Sequence, residues 1–261
     1  MLGGILRETT ERVNALRERE RELTDLATRA AAPVSLAAAL RSGPVSVIAE
    51  VKRRSPSKGT INEALTSATQ VAAYARGGAA AISILTEPRH FGGSGKDLQE
   101  ARASVSIPLL RKDFHIDILQ LVEARGLGAS AVLLIARALS PFQLLLLLTG
   151  ARDLGLETLV EVRSEAELEL AVAYGAAIIG VNSRDLETLV IDPRMHERLI
   201  PAIPADRIAV AESGIATAAD AELVAAVGAD AVLVGSAISA ASDPAGAVRA
   251  LTGVTRRSRG G

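Results

Sequence analysis

The 261 residues predict an α/β protein, an eight-stranded parallel (β/α)8 (TIM) barrel. Three observations carry that expectation. Short apolar strands alternate with helix-start signals along most of the chain. Those strands are nearly continuous in Val, Ile, Leu and Ala, as strands covered on both faces are. A Gly-Ala pair also recurs at Gly78-Ala79, Gly128-Ala129, Gly175-Ala176 and Gly228-Ala229, a period of roughly 50 residues or two strand–helix units. A barrel of this kind typically takes about 250 residues, which suits a single domain. An open doubly wound sheet is the competing architecture, but no strand leads into its Gly-x-Gly-x-x-Gly loop.

Taken in order, residues 3–32 are rich in Arg and Glu, with Leu6, Val13, Leu16, Leu23 and Leu26 at helical spacing. They predict an amphipathic helix that packs against its own domain. Pro33 and then Ser42-Gly43-Pro44 punctuate entry to the first strand. Residues 1–44 are thus a helical extension, 45–251 the barrel, and 252–261 a flexible solvated tail. Strands are expected at 45–52, 80–85, 107–112, 131–135, 157–161, 177–182, 207–212 and 231–234. Between them, Ser67-x-x-Gln70, Ser140-Pro141-x-Gln143 and Ser164-x-x-Glu167 put a hydroxyl at N-cap and Glu or Gln at N3, which satisfies orphan backbone N–H groups. Asp117-x-x-Gln120 and Thr217-x-x-Asp220 are weaker versions, and Asp243-Pro244 joins a cap to Pro at the first helical position. Gly77-Gly78, Gly128, Gly155, Gly175 and Gly228 supply the helix stops.

Hydrophobic residues make up 49% and aromatic ones 2%, so aliphatic side chains fill the core. A net charge of -1 carries no basic footprint for nucleic acid. The absence of cysteine excludes disulfides, thiolate metal sites and Cys nucleophiles. No stretch reaches the roughly 18 apolar residues of a membrane span. Arg7, Glu8, Glu11 and Arg12 interrupt any signal-like run. The chain is therefore expected in the cytoplasm, with a small molecule as partner and neither nucleic acid nor membrane. His90, His115 and His196 lack ligand spacing; they are read as loop or helix-surface residues, and no metal is expected.

In a parallel barrel the C-terminal ends of all strands open on one face, where this fold places its active sites. Glu50 and Lys52 end the first strand on one side of its pleat. Lys112 ends the third strand, Glu161 the fifth, Asn182 the sixth with Arg184 just beyond, and Glu212-Ser213 the seventh. Five polar endings after apolar runs point to a reaction site. Ser213-Gly214 and Gly235-Ser236 follow the last two strands; small residues there let backbone N–H groups approach a phosphate.

These motifs in their order resemble the indole-3-glycerol-phosphate synthase family from about Ile5 to Leu251. They are Val47-Ile48-Ala49-Glu50-Val51-Lys52 with Ser55-Pro56-Ser57-Lys58-Gly59, Leu85-Thr86-Glu87 with Phe91-Gly92-Gly93-Ser94, and Leu110-Arg111-Lys112-Asp113-Phe114. Leu159-Val160-Glu161-Val162, Ile179-Gly180-Val181-Asn182-Ser183-Arg184-Asp185-Leu186 and Ala211-Glu212-Ser213-Gly214-Ile215 follow.

The resemblance implies closure of 1-(2-carboxyphenylamino)-1-deoxyribulose 5-phosphate to an indole, with loss of carbon dioxide and water and no cofactor. It implies Lys112 as general acid, Lys52 as partner of the substrate carboxylate, Glu161 as base with Glu50 beside it, and Asn182, Ser55 and Ser213 as further active-site groups. Ser213, Gly214, Gly235 and Ser236, with Lys52, would bind the phosphate, and Arg184 would be a further substrate-binding residue. Phe91, Phe114, Leu133, Leu186 and Ile215 would wall the aromatic ring. The N-terminal helix would lie over the mouth as a lid, and the chain would act as a monomer, with association to other pathway enzymes left open. A Schiff-base aldolase acting through Lys112, a phosphosugar isomerase and a non-catalytic phosphate-binding barrel are the rivals.

Overall fold

A computed structural model describes residues 1–41, 43–57, 59–61 and 66–259. Ser42 of the first break signal, Lys58 of the first loop motif and Gly260-Gly261 of the tail lie outside the described residues.

Eight parallel strands close a barrel: β1 Ser46–Val51, β2 Ala81–Leu85, β3 Leu109–Lys112, β4 Ala131–Ile135, β5 Glu157–Val162, β6 Ile178–Asn182, β7 Ile208–Glu212 and β8 Ala231–Val234. Each neighbours the next in sequence, and β1 closes on β8 in the register Ser46↔Ala231 to Ala49↔Val234. The predicted strands match these within one or two residues. The start of β3 moves from 107 to 109 because Pro108 has no N–H to donate to the ladder, although its carbonyl accepts from Ile82 N–H at 3.0 Å. A short ribbon pairing Arg54–Ser55 with Gly59–Thr60 follows β1 and was not predicted.

The pleat sorts side chains into two layers. Val47, Ala49 and Val51 face the helices with Ile82, Ile84, Val160 and Val232. Ile48, Leu110, Leu133, Leu159, Ile178, Val210 and Leu233 fill the barrel. Glu50 lies two residues beyond Ile48, so the same alternation turns its carboxylate inward, at the top of that interior.

The N-terminal extension is three helices, α1 Leu2–Arg17, α2 Glu20–Arg29 and α3 Leu36–Arg41. The single helix expected over 3–32 breaks at Glu18-Arg19, and the break shifts the buried stripe. Leu2, Ile5, Thr9 and Val13 are buried on α1 and Leu23 and Ala27 on α2, while Leu6, Leu16 and Leu26 are half-buried. α3 puts Leu36 and Leu40 into the interior cluster. Glu157 at the start of β5 holds it there, accepting from Ser35 Oγ and Ala37 N–H, each at 2.7 Å.

Most helix starts are as expected. Asp117, Ser140 and Thr217 make reciprocal capping boxes, and Ser164 accepts from Glu167 N–H. Ser67 is the exception: the cap position falls to Thr66, and Ser67 Oγ instead donates to Asp97 at 2.7 Å. The charge-assisted bond that Ser67 gives a carboxylate is stronger than the neutral bond its hydroxyl would accept from a backbone N–H at the helix start. The tail also departs from a free solvated end. Arg256 donates to Arg41 O and Asp230 O, and Arg259, largely buried, pairs with Asp230 at 2.6 Å.

Candidate active site

The inward-facing ends of β1, β3, β5, β6 and β7 converge on one ammonium. Lys112 Nζ lies 3.2 Å from Glu212 Oε2 and 3.3 Å from Glu50 Oε2, while Glu50 Oε1 is 2.7 Å from Lys52 Nζ. Glu161 sits close enough for its charge to act on the same ammonium. Glu50, Glu161 and Glu212 are 2%, 5% and 1% exposed, so water screens this cluster little. Asn182 lies near enough to Glu161 to lower its proton affinity, and its Oδ1 accepts from Ser213 Oγ at 2.8 Å and Arg184 N–H at 3.0 Å.

Glycines make room for these carboxylates. A Cβ at Gly180 would stand 2.1 Å from Glu212 Oε1, and one at Gly235 would stand 2.2 Å from Glu50 Oε1. Neither site could carry a larger residue without moving an acid.

Three carboxyl groups share two lysines here, and the surplus sets their proton affinities. Burial pushes the Glu50 carboxyl up, but Lys52 and Lys112 override it and hold it down at about 2. Burial alone would lower Lys112, yet Glu50, Glu212 and Glu161 together hold its ammonium well above the ordinary lysine range. Glu212 is pushed up to about 7 by burial, with Lys112 opposing and the neighbouring Glu161 adding to the rise. Glu161 is raised by burial too, against Lys112 and the nearby Asn182 amide. The result is a fixed ammonium beside two carboxyl groups that exchange protons nearer neutrality.

Two cavities meet over this cluster. The first, of about 760 Å³ including its mouth, is walled by Leu2 and Ile5 of α1 with Leu85, Phe91, Phe114, Leu133, Ile135 and Leu186. Phe91 and Phe114 face each other with ring centroids 6.5 Å apart, and Lys52 Nζ lies 6.0 Å from the Phe91 ring centre. The second is polar and is lined by Ser57, Arg184, Ser213, Gly214, Gly235 and Ser236. Glu50, Lys52 and Lys112 border both. Ser213 and Gly214 adopt φ of 67° and 77°, a left-handed pair that turns the chain sharply after β7. For Ser213 that conformation costs on the order of 1 kcal/mol, a strain of the kind that persists at ligand sites.

The structure gathers most of the predicted site and corrects parts of it. Ser55, beside Ser57, borders the first cavity. Ile215 does not wall the apolar cavity: it lines the polar one and packs in the layer between sheet and helices, because the left-handed turn before it reverses its direction. His115 and His196 are buried rather than on the surface. His115 Nδ1–H donates to Leu133 O at 2.8 Å; burial and nearby Arg111 push its pKa down to about 4, so the ring is neutral. His196 Nε2 bonds Glu212 O at 3.1 Å and Val181 O at 3.2 Å, bracing the ends of β6 and β7.

Glu212 was visible as the polar end of an apolar strand but received no role from the sequence. Leu2 and Ile5 are not in the helical stripe that the sequence predicts, Leu6, Val13, Leu16, Leu23 and Leu26. α1 is seated over the mouth by Arg12, which grips Asp113 at 2.9 and 3.1 Å, and by the Met1 ammonium on Glu187. His90 adds a bond to Glu8 at 3.0 Å.

The pattern of one known family, indole-3-glycerol phosphate synthase, matches residues 2–251. The chain belongs to that family. Its activity is accordingly that of an indole-3-glycerol phosphate synthase, a carboxy-lyase of tryptophan biosynthesis. Relatives agree with the family assignment along the chain. An indole-3-glycerol phosphate synthase of Nocardioides sp. is 53% identical over 214 residues, 82% of each chain. Indole-3-glycerol phosphate synthase 2 of Streptomyces coelicolor is 45% identical over 256 residues, 97% of this chain and 99% of that one. Among solved structures, thiamine phosphate pyrophosphorylase from Pyrococcus furiosus superposes with a TM-score of 0.60 over 79% of this chain and 93% of that one. At 19% identity it shares the fold alone. No described helix is long and apolar enough to cross a membrane.

Proposed function

We propose that the two cavities hold the two ends of 1-(2-carboxyphenylamino)-1-deoxyribulose 5-phosphate and that the Lys112 cluster closes its indole ring. The observation that carries this reading is the position of Lys112 Nζ between Glu50 and Glu212, where the apolar cavity meets the polar one. The ring lies against Phe91, Phe114, Leu133 and Leu186 under Leu2 and Ile5. The phosphate lies among Ser213, Gly214, Gly235 and Ser236, with Lys52 and Arg184 supplying positive charge.

In the first step the aryl carbon attacks the ketone, and Lys112 delivers a proton to the developing alkoxide. Lys52 pairs with the substrate carboxylate until it leaves as carbon dioxide, its electrons restoring the ring. In the second step the hydroxyl departs as water with a proton from Lys52, released from the lost carboxylate, while Glu161 accepts one from the substrate. The raised proton affinity of Glu161 suits that exchange. Glu50, held low by the two lysines, stays charged and helps keep Lys112 protonated, and Asn182, Ser55 and Ser213 bond the sugar hydroxyls. These steps call on no metal or organic cofactor. On this proposal the protein acts as a monomer in the cytoplasm.

A lysine held so firmly protonated is a poor nucleophile, which weighs against a Schiff base at Lys112. The test is to mix the purified protein with the substrate in the presence of a chelator and follow indole fluorescence. Saturable turnover is expected. Binding without indole would leave the pocket and remove the proton-transfer roles; neither binding nor turnover would favour a non-catalytic barrel.

A further inference from the structure

The backbone that carries Glu50 and Lys52 is completed by a side chain from the far end of the barrel sequence. The β1–β8 ladder stops at Ala49↔Val234, where the chain turns at Gly235 into the helical turn Ser236–Ser239. In a parallel ladder, the residue opposite Val51 would take the N–H of Lys52 and give a hydrogen to the carbonyl of Glu50. No strand residue stands there. Ser239 does both with one hydroxyl: Lys52 N–H donates to Ser239 Oγ at 3.2 Å, and Ser239 Oγ donates to Glu50 O at 3.0 Å.

Behind it, Tyr74 Oη lies 3.2 Å from Glu50 O and 3.1 Å from Ser239 Oγ. Both side chains are buried, Tyr74 at 0% and Ser239 at 1% exposed. The count of donors closes: the carbonyl has two lone pairs and accepts from both hydroxyls, and Ser239 Oγ accepts from Lys52. Neither side chain reaches either cavity. The same four-residue turn that begins at Ser236, on the polar cavity, therefore ends in the hydroxyl that ties down the acid–base strand.

We propose that Ser239, backed by Tyr74, is a positioning residue that sets the register between the phosphate-holding turn and the Glu50–Lys52 pair. The proposal rests on the substrate placement above. Substrate gripped at one end by the turn presents its reacting carbons at a distance from Lys52 and Lys112 that this tie determines. Displacement of reacting groups by about 1 Å can cost on the order of 100-fold.

The test is steady-state kinetics on the full chain with Ser239→Ala, Ser239→Thr and Tyr74→Phe, beside thermal melts. In Ser239→Ala, kcat should fall about 10- to 100-fold. Its KM should stay within about threefold, because β8 and the loop after β7 still hold the phosphate end. Ser239→Thr keeps the hydroxyl and should recover kcat to within about threefold of the parent. A purely structural role would lower the melting temperature while leaving kcat of the folded variant within about twofold, and that result would overturn the proposal. Should Ser239→Ala not fold, Tyr74→Phe decides: a kcat loss of about threefold or more supports the tie, and an unchanged kcat overturns it. A parent chain that makes no indole would instead refute the substrate reading.

Discussion

Replacing Glu212 by Gln probes the charge surplus at the heart of the site. In the folded protein Glu212 takes up its proton at about 7, against 4.5 for an unhindered glutamate. The folded state therefore holds a proton that the unfolded chain has already released between those values. Stability from this group is fully present below about 4.5, is lost as pH rises toward 7, and is level above that. At roughly 1.4 kcal/mol per pH unit the loss amounts to about 3 kcal/mol. Glu161 is raised for the same cause and titrates with Glu212 as a pair, so removing one relieves the other. Gln keeps an amide oxygen able to accept from Lys112, so the hydrogen bond survives while the charge goes. Urea denaturation of parent and Glu212→Gln between pH 5 and 8.5 should show the variant gaining about 1–3 kcal/mol on the parent across the window, with the difference constant above pH 7. Turnover should nonetheless fall about 10-fold, since Lys112 loses a fixed partner. Stability profiles that run parallel from pH 5 to 8.5 would refute the raised proton affinity of Glu212.

Lys112→Ala should reduce kcat by at least about 100-fold, measured by indole fluorescence on folded protein; near-normal turnover would remove it as the acid. Gly180→Ala places a Cβ 2.1 Å from Glu212 Oε1, so the carboxylate must swing from Lys112 and kcat should drop about 10-fold with a stability change of only about 1 kcal/mol. Substituting Ser236 by Leu should raise KM about 10-fold or more while kcat changes less, and an unchanged KM would move the phosphate elsewhere. Arg12→Ala leaves the Asp113 carboxylate buried with Arg111 at 3.7 Å as its remaining cation, and should cost about 1–3 kcal/mol in urea. It should also raise KM, as Leu2 and Ile5 lose their seat over the ring; unchanged stability and KM together would show that α1 is held by other contacts.

Much of the architecture could be read from residue order because it rests on local, repeating chemistry. Apolar runs of strand length, capping boxes such as Ser140-Pro141-x-Gln143, and glycine stops each act within a few residues, and their alternation leaves few topologies. Glu50 and Lys52 were legible as a pair because strand periodicity alone puts them on one face. Where the sequence misled, a distant partner overrode a local preference. Ser67 gave its hydroxyl to Asp97 instead of its helix, and Arg256 and Arg259 fastened a tail that looks free on composition.

The site divides along the same physical line. Residue type and strand position pointed to Lys112, Glu161 and Asn182, since a polar group at the end of a buried strand must be paired, and in a barrel mouth it meets its partners over the site. Nothing local said that burial and Glu161 would raise the proton affinity of Glu212, that Gly180 and Gly235 are small to admit carboxylates, or that Leu2 and Ile5 would roof the apolar cavity. Those facts depend on groups about 30 to 180 residues apart meeting within hydrogen-bond or van der Waals distance, where electrostatics and packing act steeply on separation. Local chemistry specified the barrel and the kinds of groups at its mouth; closure of the barrel set the distances between those groups and shaped the cavities over them.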